Sequence, residues 1–260
     1  MACLASAPRF VAIEGPIRAG KSTLAALLAE QMGARQIVEP ENNPFLAPFY
    51  RGAKGAAFSA QMWFLTARYR QMRQAMEHSR ESGQPAPLVS DYIFEKDKLF
   101  ASLNLCDREL AWYDRQYRAF RKQLPGPDLV IYLQASAQVL RTRMKRKGIP
   151  GEQSIADEYV EQVVQAYEHF FFHYTASDLL VVNTDEIDFV RSQEDLQGLL
   201  RRFRQPVSGR QYFQPLSQRG RGVPLNLQVV GARGVSAVRR AMQGFAPAGI
   251  QATSWLRRAL

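Results

Sequence analysis

The stretch EGPIRAGKST, residues 14–23, has the glycine, lysine and hydroxyl spacing that suits a phosphate group. It contains Gly15-x-x-x-x-Gly20-Lys21-Ser22, entered from a β-branched run and left through a helical one, a context that makes the pattern a P-loop. Glycines let the backbone curl until successive N–H groups face phosphate oxygens at a helix N-terminus. Gly15, Pro16, Ile17, Arg18, Ala19, Gly20, Lys21, Ser22 and Thr23 are therefore the expected cradle for ATP. Lys21 brings a cation to the β- and γ-phosphates, and the Ser22 hydroxyl is a ligand for Mg2+.

A P-loop alone serves kinases, GTPases, motors and helicases, so the rest of the chain must choose. The segment LRTRMKRKG, from Leu140, gathers Arg141, Arg143, Lys145, Arg146 and Lys147 at one helical end. A solvated basic face is the plainer account. After the fourth strand of a P-loop domain, the cluster better suits a lid over a migrating phosphoryl group, with Arg143, Arg146 and Lys147 as its working cations. The guanine-reading NKxD of a GTPase is absent, as are the coupling motifs of a helicase or motor. Asp91 ends the third strand-like run beside the P-loop, where a carboxylate can hold Mg2+ directly or through water.

With these motifs in order, the chain resembles the deoxynucleoside kinase family, in its bacterial deoxyadenosine and deoxyguanosine kinase branch related to deoxycytidine kinase. The resemblance runs from about Phe10 to Val190 through IEGPIRAGKST, VEPENNPFLAPFY, AQMWFLTARYR, VSDYIFEKDKLFA, RTRMKRKGIPGEQ and VVNTDEIDFV. It implies a nucleoside-monophosphate-kinase-like fold, usually dimeric, that phosphorylates the 5′-hydroxyl of a deoxynucleoside in nucleotide salvage. That hydroxyl must lose a proton as it meets the γ-phosphorus, so a carboxylate is needed within hydrogen-bond reach. Glu39 matches the family's base, with Glu41 as second candidate; read without the family, a strand-end glutamate is equally a cap or turn residue. Tyr50 and Glu152 match the residues that hold the 3′-hydroxyl and favour deoxyribose. Gln61 and Arg68 match the pair that sits over the base, with an acid from the next helix. Counting from Asp91 makes that acid Asp97, while counting back from Phe100 puts Lys96 there. Many relatives carry an arginine after the strand-three aspartate; here Tyr92 follows, so a positive charge near the 5′-oxygen is expected from the lid. The segment NTDEIDF, residues 183–189, is expected beside the donor adenine. Gln61 can accept from an exocyclic amine and donate to the neighbouring ring nitrogen, which fits adenine and cytosine better than guanine. Deoxyadenosine is the leading expected substrate, with deoxycytidine or deoxyguanosine secondary. A kinase for another small alcohol or a nucleoside monophosphate is the rival enzyme.

The elements that must position these residues follow from periodicity. Runs at 10–15, 35–39, 87–91, 128–134 and 179–185 alternate with longer helical patterns, predicting a five-stranded parallel sheet flanked by helices, with the P-loop NTPase fold. An apolar fraction of 46% over 260 residues provides a sizeable core for one α/β domain. That domain is assigned to residues 1–205. Residues 206–260 hold eight arginines and no other charged residue, so most of the net charge of +10 belongs to this extension. It is read as partly docked to about residue 216, through Tyr212 and Phe213, and flexible beyond. A nucleic-acid contact by this basic segment, in an ATP-sensing binding protein, is the non-enzyme alternative; the expected partners are a deoxynucleoside and a second copy of the chain. Two cysteines give no disulfide framework, and the first ten residues lack a signal-peptide pattern, so the expected location is the cytoplasm.

Overall fold

The computed structural model describes residues 8–81, 86–148, 155 and 157–214. Strands β1 (Phe10–Glu14), β2 (Arg35–Ile37), β3 (Leu88–Ser90), β4 (Leu129–Gln134), β5 (Asp178–Asn183) and β6 (Arg210–Phe213) form one sheet in the order β2-β3-β1-β4-β5-β6. Every neighbouring pair is parallel. The helices are α1 (Lys21–Met32), α2 (Leu46–Tyr50), α3 (Ala56–Glu81), α4 (Lys96–Asn104), α5 (Asp107–Arg121), α6 (Ala137–Lys147), α7 (Asp157–Phe172) and α8 (Gln193–Phe203).

Among the described residues the sheet has six strands, where the sequence predicts five. The sixth lies in SGRQYFQPL, just past the predicted domain limit at residue 205. Its alternation is short and half exposed, as befits an edge strand, so it carries little hydrophobic signal. Phe213 packs on the core while Tyr212 is 70% exposed, so the predicted docking rests on backbone pairing and one ring, not on both aromatics. Helix α8 was also unpredicted, although Leu196, Leu199, Leu200 and Phe203 mark one helical face and Ser192 caps it.

Burial explains the strand composition. All five residues of β1 are buried, as expected for a strand covered on both faces. Phe10 and Ala12 face one cluster, with side chains from α3, α4, α5, α6 and α7. Val11 and Ile13 face the other, built with α1 and α8. This alternation puts Glu14 on the Ala12 side, toward α3, α4 and α7. The chain leaves β1 for one side of the sheet through α1 and crosses to the other after β2, through α3. Ligands in such sheets bind at the carboxyl ends of strands near that reversal.

Candidate active site

The P-loop joins β1 to α1. Arg18 takes a left-handed φ of 62°, and Gly20 has φ 103° as the residue preceding α1. A Cβ at Gly15 would come within 2.6 Å of the Leu133 carbonyl oxygen, and one at Gly20 within 2.5 Å of Phe189 Cζ. Only glycine fits either place. The Lys21 ammonium donates to the carbonyl oxygens of Gly15 (2.7 Å) and Pro16 (3.1 Å). Burial draws its pKa down to about 8, helped by the Lys96 cation and opposed by Glu14, Glu39 and Asp91. The charges of those four residues therefore reach Lys21.

Glu39 lies two residues beyond β2 and is buried, whereas Glu41 is exposed. The strand stops short because the Glu39 N–H donates to Asp91 Oδ1 (2.7 Å) rather than continuing the ladder. The Glu39 carboxylate accepts from Arg68 and from Lys96, the latter at 3.0 Å to Oε1 and 2.9 Å to Oε2. Burial pushes its pKa up, but Lys96, Arg68 and Lys21 together outweigh this and hold it below the usual value. Glu39 is thus an ionised carboxylate in a dry, cation-lined place. Burial raises the Asp91 pKa, opposed by the Ser22 hydroxyl and the Glu39 N–H.

Arg68, fully buried on α3, donates its second nitrogen to Asp97 Oδ1 and stands over the rings of Phe64 (4.9 Å) and Tyr92 (5.5 Å). Of the two residues that counting left open, Asp97 meets Arg68 and Lys96 meets Glu39. Asp97 Oδ2 is buried with no hydrogen-bond partner among the described residues. Burial, partly offset by Arg68, raises the Asp97 pKa to about 6. Gln61 is buried seven residues before Arg68 on the same helix. Tyr92 is fully buried, and its hydroxyl donates to Gln71 (3.1 Å).

The basic helix α6 is tied to the loop after β5. Arg143 donates to the Thr184 hydroxyl (3.1 Å), the Thr184 carbonyl (2.5 Å) and the Ile187 carbonyl (3.1 Å). Arg146 pairs with Asp188 at 2.8 Å, while Lys147 is exposed. Phe189 in this loop abuts Gly20, so α6 reaches the P-loop through residues 184–189. Tyr50 ends α2, but its side chain, like Glu152, lies outside the described residues.

Two buried charged residues escaped the sequence reading. Glu14 accepts from the N–H groups of Gly15 (2.9 Å) and Ile93 (3.1 Å) and from the Tyr167 hydroxyl (3.0 Å), pinning the P-loop entrance to β3 and α7. Its signal was an acid closing an otherwise apolar strand. Lys96 stands 3.9 Å from Glu14 Oε1 and was considered only as an alternative to Asp97.

A phosphate loop after β1 and a buried carboxylate after β2, at the same end of a parallel sheet, define a P-loop kinase. The chain belongs to the deoxynucleoside kinase family, whose model matches residues 11–208. It is 36% identical over 195 residues to the deoxyguanosine kinase of Bacillus subtilis, covering 73% of this chain and 93% of that relative. It is 29% identical over 206 residues to the deoxyadenosine kinase of Lactobacillus acidophilus, covering 74% and 93%. Among solved structures it is similar to deoxyadenosine kinase from M. mycoides with bound dATP. That likeness has a TM-score of 0.62 and 26% identity, and covers 76% of this chain and 100% of the other.

Proposed function

We propose that the enzyme transfers the γ-phosphoryl group of ATP to the 5′-hydroxyl of deoxyadenosine, with deoxyguanosine and deoxycytidine as weaker acceptors, in cytoplasmic nucleotide salvage. The observation that carries this reading is the buried, cation-held Glu39 carboxylate beside the P-loop lysine. The reaction forms a bond from the 5′-oxygen to the γ-phosphorus and breaks the bond from that phosphorus to the ADP oxygen. Glu39 takes the hydroxyl proton, and Lys21 with the P-loop amides stabilises charge on the phosphoryl oxygens. Arg143 and Arg146 support the same charge when α6 closes.

Mg2+ suits Ser22 and Asp91, because both offer oxygen ligands, the Ser22 hydroxyl is near enough to act on the Asp91 carboxyl, and Mg2+ takes few protein ligands beside phosphates and water. Bound there, the ion would neutralise the β- and γ-phosphates. Gln61 and Arg68 read the base, and Tyr50 with Glu152 holds the 3′-hydroxyl. One observation favours deoxyguanosine as a second acceptor: Asp97 Oδ2, without a hydrogen-bond partner among the described residues, is a pure acceptor, and guanine offers two donors on one edge.

No helix among the described residues is long and apolar enough to cross a membrane. A homodimer is part of the proposal, supported by Trp112, 61% exposed on α5 above a groove with Phe58 and Met62 of α3. Sedimentation of the purified chain tests it, and a monomer at micromolar concentration would remove it. The function is tested by phosphorylation assays over dA, dG, dC, dT, adenosine and dAMP, each with ATP and GTP. Consumption of the monophosphate alone would overturn the acceptor.

A further inference from the structure

Lys96 is the first residue of α4 and is 1% exposed. An ammonium this deep costs several kcal/mol unless its protons are all directed at partners. Its partners here are unusual, because it stands between two carboxylates of different duty. It donates to both oxygens of Glu39 and lies 3.9 Å from Glu14, whose carboxylate holds the first N–H of the P-loop. The Phe100 ring lies 5.7 Å beneath it and closes the remaining side.

The two oxygens of Glu39 are not equivalent. Oε1 accepts from both Arg68 and Lys96, whereas among the described residues Oε2 accepts from Lys96 alone. A carboxylate oxygen has two lone-pair sites, so Oε2 keeps one for a further donor. Arg68 by itself would hold a single oxygen and leave the group free to turn about that contact. The second anchor on Oε2 is what fixes the plane.

We propose that Lys96 is a positioning residue for phosphoryl transfer. It orients the Glu39 carboxylate so that Oε2 receives the proton of the acceptor hydroxyl, and it ties that orientation to the P-loop through Glu14. The 5′-oxygen then bonds to the γ-phosphorus as its proton passes to Oε2, and ADP leaves with the electrons of the broken P–O bond. The positive charge expected from the lid, in view of Tyr92, is in this account supplied from α4. The inference rests on Glu39 being the base in the reading above.

The experiment compares Lys96→Met, Lys96→Arg, Glu14→Gln and the double variant Lys96→Met/Glu14→Gln with the parent enzyme, on its best deoxynucleoside. Lys96→Met is expected to lower kcat by ~100-fold or more, with KM for MgATP within about threefold of the parent. Lys96→Arg is expected to recover at least about tenfold of that loss, since it restores a cation with a reach similar to lysine. The double variant removes one charge of each sign and so guards against a misfolded single variant. It should keep the parent's thermal transition and still show the kcat deficit relative to Glu14→Gln alone. Equal kcat in the double variant and Glu14→Gln would reduce Lys96 to a counterion and overturn the proposal, as would a single Lys96→Met variant with parental kcat. Failure of the functional reading looks different: the parent chain itself then turns over no deoxynucleoside.

Discussion

Arg68 and Glu39 form an ion pair in the interior, although 29 positions separate them in the chain. The residue read as part of the base-recognition helix therefore also holds the residue read as the base catalyst. Arg68→Met is expected to damage turnover as well as acceptor affinity, because Glu39 loses one anchor and Asp97 loses its cation. Removing one partner of such a pair costs about 3–5 kcal/mol, which urea unfolding of the variant measures directly.

Glu39→Gln keeps the shape and removes the proton acceptor. Turnover is expected to fall by roughly 10²–10⁴-fold, while MgATP binding by calorimetry stays within a few-fold. Parental turnover in this variant would dismiss Glu39 as the base.

Gln61→Glu replaces an amide that both donates and accepts with an acceptor-only carboxylate. Relative kcat/KM should move from deoxyadenosine toward deoxyguanosine, by about tenfold or more. An unchanged ratio would return Gln61 to a packing role.

Much of this was legible locally, and the misses share a physical cause. The P-loop is a contiguous pattern whose glycines answer to close contacts, so Gly15 and Gly20 could be read without a structure. Asp91 and Glu39 stood at strand ends, where period-2 patterning stops. Glu14 and Lys96 were hidden because each looks ordinary in its own element, one at the end of an apolar strand and one in a charged EKDK run. Their importance comes from long-range burial, which brings α4 against β1 and β2. Strand β6 was missed because an edge strand need bury only one side, and α8 because its leucines follow a segment read as a binding loop.

The Asp97 carboxyl gives a pH dependence. Its pKa is about 6 in the folded chain, against an ordinary value near 3.8, so the folded state holds more protons between these values. The contribution of this group to stability therefore rises as pH falls through 6 and is flat above it. Relative to Asp97→Asn, the parent should gain about 1 kcal/mol in unfolding free energy between pH 7 and pH 5. Glu39 is present in both proteins, so its own titration largely cancels. Parallel stability curves over that range would contradict the assignment.

The direction of β6 has a practical consequence. Because it runs parallel to β5, and through β4 to β1, its last residue Phe213 emerges at the same end of the sheet as the P-loop. A fusion that replaces everything after Gln214 would start its path on the rim that carries the P-loop rather than on the opposite pole. A fusion joined directly ahead of Pro8 would start instead from the opposite pole.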